Sequence, residues 1–181
     1  MKTILLSILL GMLIILKAQA VFPKEKFDLV KFSGFWYEVG ISSSSDMFLK
    51  QKGIKRLGAA IVTPMENNIR VKTIYDKSRE CVKETILGKK VDIPGKFVFS
   101  GSREAYVIET DYKTYAIINV SILRKGMKLN ILELFSRNLK NTDEGLKRLR
   151  EISEKVGISR DNAFMLIYDD TCVKMLKKDN L

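Results

Sequence analysis

The chain contains no histidine. That removes the commonest general base and the commonest metal ligand among side chains. Cysteine is nearly absent as well, with Cys81 and Cys172 alone. Beyond the first twenty residues there is no apolar run long enough to span a membrane, which takes about 20 residues. There is no linker and no internal repeat of fixed period, and Ser42–Ser45 is the one low-complexity segment. Lysine and arginine are plentiful but scattered, with no dense basic block and no nucleic-acid motif. These absences leave no candidate catalytic centre, no metal site and no cofactor motif, so neither an enzyme nor a nucleic-acid binder is expected.

What is present begins with the N-terminus. Met1-Lys2 is followed by an apolar run from Ile4 to Leu16 and then by Lys17-Ala18-Gln19-Ala20. A short basic start, an apolar stretch too short to span and an Ala-x-Ala site read as a secretory leader over residues 1–20, cut after Ala20. Residues 21–181 then form one domain, with one sizeable core. In a secreted chain an even pair of cysteines reads as one disulfide, here joining an early strand to the C-terminal tail and leaving no thiol free. Losing Lys2 and Lys17 lowers the net charge from +11 to +9. Such a charge favours contact with an anionic cell surface; the scatter of the cations fits a solvated basic shell equally well.

The middle of the chain is a series of short apolar-rich runs divided by turn residues. They cover residues 35–41, 57–63, 69–75, 81–87, 96–100, 103–109, 115–123 and 129–136. Eight strands at this spacing suggest an antiparallel sandwich or barrel. Gly88 is expected to stop the fourth, and Lys125-Gly126 to turn the chain between the last two. The period then changes. Leu146, Leu149, Ile152 and Val156 recur at helical steps, with Thr142 as a candidate N-cap, Asp143 and Glu144 in the first turn and Gly157 as the stop.

Three segments narrow the choice. They are Gly34-Phe35-Trp36-Tyr37, Thr110-Asp111-Tyr112, and Arg137 at the end of the last apolar run. In this order, between a leader and a Cys-bearing tail, they resemble the three signature segments of the lipocalin family. Further phrases, Leu57-Gly58-Ala59-Ala60 and Leu134-Phe135-Ser136-Arg137 among them, resemble the epididymal-specific lipocalins with their retinoic acid-binding member. The resemblance implies an all-β fold: an eight-stranded up-and-down antiparallel β-barrel, the lipocalin calyx, with one C-terminal α-helix packed outside. It implies that Trp36 plugs the closed end with Arg137 lying across its ring, an arrangement worth about 1–2 kcal/mol when shielded from water. It makes Gly34, Trp36, Thr110, Asp111, Tyr112 and Arg137 scaffold residues that do not touch ligand, and it supports the Cys81–Cys172 bond. One branch of the family, prostaglandin D synthase, is an enzyme that uses a free barrel cysteine, and with both cysteines bonded no such thiol is expected here.

Strand alternation then assigns faces. Ala116, Ile118 and Val120 are expected inside, and Asn119 outside. Ala105 and Val107 are also expected inside, as are Ile69, Val71, Thr73, Ile86, Phe97, Phe99, Ile131 and Phe135. A one-residue bulge would reverse any of these. Glu133 is in phase with Ile131 and Phe135, with no evident partner. Arg103 starts its strand at the open end and Tyr75 ends its own there. Arg103 either pairs with a ligand carboxylate or stands as a solvated rim charge. The long connection after the first strand, with Met47, Phe48 and Leu49, is expected to fold over the mouth. Asn119-Val120-Ser121 fits the glycosylation pattern but falls in a strand. The expected function is a secreted carrier of a small hydrophobic ligand such as retinoic acid or a fatty acid, inside the barrel. The competing reading is a cationic surface-binding or antimicrobial secretory protein in which carriage is secondary.

Overall fold

The computed structural model describes residues 27–124 and 126–178; the leader expected over residues 1–20 and its cleavage site lie outside them. The alternating runs form β1 (Gly34–Ser42), β2 (Gly58–Pro64), β3 (Asn68–Lys77), β4 (Glu80–Lys90), β5 (Lys96–Phe99), β6 (Arg103–Thr110), β7 (Tyr115–Arg124) and β8 (Met127–Ser136). Each pairs antiparallel with the next, and β1 pairs with both β2 and β8. The sheet therefore closes into a barrel, which removes the unpaired edges an open sheet would carry. Gly88 does not stop β4: it pairs with both Ile69 and Phe99 inside the ladder.

Two bulges shape the barrel. One falls in β1 between Glu38 and Gly40, the other in β6 between Val107 and Glu109. Before its bulge β1 pairs with β2. After it, Gly40, Ile41 and Ser42 take a ninth short strand instead, β9 (Ala163–Met165). That strand was absent from the sequence expectation because three residues are too few to show a period.

The helix expected outside the barrel forms as Asp143–Lys155. Two four-residue turns precede it, α1 (Leu29–Phe32) and α2 (Asp46–Leu49), so it is α3 here. Leu149 and Ile152 are buried against β1, β7 and β8, but Val156 is 42% exposed, since it is the C-cap beyond the last helical residue. Thr142 makes no side-chain cap. Its backbone is helical, and a capping oxygen reaches the orphan N–H groups only from an extended backbone. The far end behaves as expected. Gly157 has φ +80°, its N–H donates to Glu154, and the Ile158 N–H reaches back to the Ser153 carbonyl. This double closure needs the left-handed residue that glycine supplies.

The tail is more ordered than the sequence suggested. It forms a further helix, α4 (Thr171–Lys178), with Cys172, Val173 and Leu176 buried. The Cys81–Cys172 disulfide fastens it to β4. From the same helix Lys177 reaches β1, with its Nζ 4.8 Å from the centre of the Tyr37 ring. Among the described residues no helix is long and apolar enough to cross a membrane.

Candidate ligand-binding chamber

The closed end of the barrel is set by the three signature segments. Gly34 has φ +95°, a conformation open to glycine, and a Cβ there would stand 3.4 Å from Arg137 Nη1. The turn brings Trp36 under Arg137, whose guanidinium carbon lies 3.7 Å from the ring centre. The indole N–H donates to the Phe32 carbonyl at 2.8 Å. Arg137 ties the segments together: Nη1 donates to the Phe35 carbonyl at 2.8 Å, Nη2 to those of Lys31 and Ser33 at 2.9 Å, and Nε to that of Tyr112 at 3.2 Å. Asp111 accepts from the backbone N–H groups of Lys113, Thr114 and Tyr115. Burial pushes its carboxyl up, but the Thr114 hydroxyl and these three donors outweigh burial and hold it below the usual aspartate value. Thr110 Oγ1 donates to the Tyr115 carbonyl and accepts from the Tyr112 N–H, so all three residues of that segment serve the floor.

Above this floor lies a cavity of about 730 Å3, within the range of small-molecule sites. Strand alternation placed its walls well. Ile69, Val71 and Thr73 of β3 line it with Ile86 of β4. Phe97 and Phe99 of β5 line it, with Ala105 and Val107 of β6. Ile118 and Val120 of β7 complete the wall with Ile131 and Phe135 of β8. Ala116 is the exception: fully buried, it packs with Phe32, Trp36, Val62 and Val107 in the floor and does not line the cavity. Trp36 departs from its expected role in the other direction, since it lines the cavity as well as plugging the barrel.

Arg103 and Tyr75 also line the cavity, at strand ends away from the floor. Arg103 makes no ion pair among the described residues. Tyr75 donates to Glu84 Oε1 at 3.1 Å. Burial and the Glu84 carboxylate raise the Tyr75 hydroxyl above its ordinary value, while the Arg103 charge pulls the other way. The connection after β1 covers part of the mouth: Phe48, Gln51, Ile54 and Lys55 all face the cavity. Asn119, in the glycosylation pattern, stands in β7 with its Oδ1 shut away from solvent rather than on a loop.

Sequence reasoning missed a charged group inside this chamber. Glu38 lines it and forms an ion pair with Lys55. Glu38 follows Trp36 by two positions, so strand phase could have found it. Lys55 comes from the irregular connection, where no period exists to read. Glu133 lines the chamber too, across the ladder from Ile118 and Ile41. Burial and the Glu38 charge push its carboxyl up to about 7, against the pull of Lys55 and Arg103. Burial pulls Lys55 down, but Glu38 and Glu133 together raise it above the ordinary lysine value.

Comparison with known proteins agrees with this architecture. The family model described as Lipocalin / cytosolic fatty-acid binding protein family matches residues 33–170. Mouse (Mus musculus) epididymal-specific lipocalin-8 is 33% identical over 179 residues, covering 98% of each chain. Mouse epididymal-specific lipocalin-5 is 33% identical over 186 residues, covering 100% of this chain and 96% of that one. The extracellular fatty acid-binding protein of chicken (Gallus gallus) is 27% identical over 175 residues, covering 95% of this chain and 97% of the other. The solved structure of the siderocalin Ex-FABP shares the fold, with a TM-score of 0.72 at 23% identity over 78% of this chain and 97% of that chain. With its closed barrel, its Trp36–Arg137 floor and these relatives, the chain belongs to the lipocalin family.

Proposed function

We propose that this protein is a secreted carrier that holds one small hydrophobic ligand, of the retinoid or fatty-acid type, inside the barrel. The observation that carries the reading is the chamber itself: about 730 Å3, walled by aliphatic and aromatic side chains, with an arginine free of any described ion pair at its mouth. Apolar surface removed from water contributes about 25 cal/mol per Å2, so a retinoid-sized ligand reaches micromolar affinity or better after the entropy of association is met. A carboxylate end lies at the rim near Arg103 and Tyr75, where a charge-assisted bond adds about 1.5–3 kcal/mol. The connection bearing Phe48 and Ile54 orders over the mouth once the ligand is in. The names of the relatives, epididymal-specific and extracellular, support release from the cell, and the chicken protein's name supports a fatty acid. A carrier with this chamber has no need of a catalytic centre, and the chain is read as a binder rather than an enzyme.

The test is a titration of retinoic acid, a long-chain fatty acid and retinol against the wild type and Arg103→Ala. The variant is expected to weaken both acids roughly ten- to a hundredfold and retinol much less. Equal losses for acid and alcohol would remove Arg103 as the anchor. Failure of all three to bind the wild type would remove the carrier.

A further inference from the structure

A plain hydrocarbon tail would leave one wall of the chamber unsatisfied. Glu133 faces the cavity from β8 and makes no hydrogen bond among the described residues. The groups around it are Glu38 of β1, Lys55 of the covering connection and Arg103 of β6. Glu38 and Lys55 already satisfy each other as an ion pair, so Glu133 is the carboxyl left over. A ligand that fills the chamber displaces the water there, so the acid then favours a ligand group that can hydrogen-bond to it.

The ladder sets it back from Arg103 along the strands. Arg103 pairs with Ile122 at the rim, whereas Glu133 pairs with Ile118, which in turn pairs with Val107. Four residues of β6 separate those levels, about 13 Å along the strand. A ligand held at the rim by an acid group would therefore pass Glu133 part-way down its chain.

Resting on the carrier reading, we propose that Glu133 is a second polar anchor that receives a hydroxyl group on the buried portion of the ligand, so that the chamber selects mid-chain hydroxylated acids over plain ones. The charge pattern decides the class. A cationic ligand group would meet Lys55 and Arg103, and a second ligand carboxylate would meet Glu38. A neutral hydroxyl meets neither objection, and because it both donates and accepts it suits the carboxyl in either protonation state. Burial and the Glu38 charge push the Glu133 carboxyl up, which favours its protonated form more than in water.

The test compares stearic acid, a positional series of its mid-chain monohydroxy derivatives and octadecylamine by calorimetric titration. The proteins are the wild type, Glu133→Gln and Glu133→Leu, with melting curves to show that each is folded. At least one hydroxy isomer is expected to bind the wild type about five- to tenfold tighter than stearic acid. That ratio falls to near one in Glu133→Leu and largely survives in Glu133→Gln, whose amide also donates and accepts. If stearic acid binds but no isomer gains, or if the gain persists in Glu133→Leu, the second anchor is wrong and the carrier stands. A Glu133-dependent preference for octadecylamine overturns the hydroxyl in favour of a cation. If neither stearic acid nor any isomer binds the wild type, the carrier reading and the anchor fall together.

Discussion

Replacing Arg137 with alanine removes the residue on which the barrel floor converges, and its effect can be worked from the contacts. The stacking on Trp36 at 3.7 Å is largely shielded and contributes about 1–2 kcal/mol. The bond from Nη1 to the Phe35 carbonyl at 2.8 Å is charge-assisted and adds about 1.5 kcal/mol. The Nη2 bonds are shared among three carbonyls and the Nε bond is long, so together they add about 1 kcal/mol more. Against this stands relief of the guanidinium's own burial, which already pulls Arg137 below the ordinary arginine value. The expected net loss is about 3 kcal/mol, or a fall of roughly 6–12 °C in melting midpoint for a domain of this size. Circular dichroism melts and urea titration measure it directly. Trp36 is the chain's single tryptophan and is 1% exposed, so its emission should also shift to the red in the folded variant. Arg137→Lys keeps the charge but loses the planar fork, and should recover about 1 kcal/mol at most. A midpoint unchanged in Arg137→Ala, or largely restored by lysine, would refute the argument that the planar guanidinium holds the floor.

Two further outcomes follow from the chamber and the tail. The Cys81–Cys172 bond closes a separation of 91 residues, and its reduction should destabilise the fold by about 2–5 kcal/mol; labelling of both thiols in unreduced, unfolded protein would show that the bond is absent. Glu133, facing Glu38, Lys55 and Arg103, holds its proton more tightly folded than unfolded, so between pH about 4.5 and about 7 the folded chain binds more protons and stability falls as pH rises. Glu133→Gln should therefore gain stability relative to the wild type as pH rises through about 7; a difference that does not vary with pH would contradict a proton-holding carboxyl.

Residue alternation located the wall of the chamber because a closed barrel gives every strand one inner face. Val71 and Ile86 of neighbouring strands, like Ala105 and Val120, fall opposite each other in register and share the interior. It misjudged Ala116, which is inward as expected but belongs to the floor, because alternation gives a face and not a height. It passed over Glu38, an acid in correct inward phase.

The sequence by itself determined the eight strands, the outer helix and its glycine stop, the cysteine pair and the Trp36–Arg137 floor. These follow from local period, turn chemistry and the family signature segments. Only the tertiary structure decided the rest. The exchange of β2 for β9 along β1 depends on a bulge and on a partner more than a hundred residues away, and neither leaves a local pattern. The helical tail takes its place by packing beside the disulfide. Lys55 reaches Glu38 from an irregular connection, and that meeting leaves Glu133 as the unpaired carboxyl of the chamber. Period specifies which way a side chain points; which charge it meets there depends on how distant parts of the chain close around the same space.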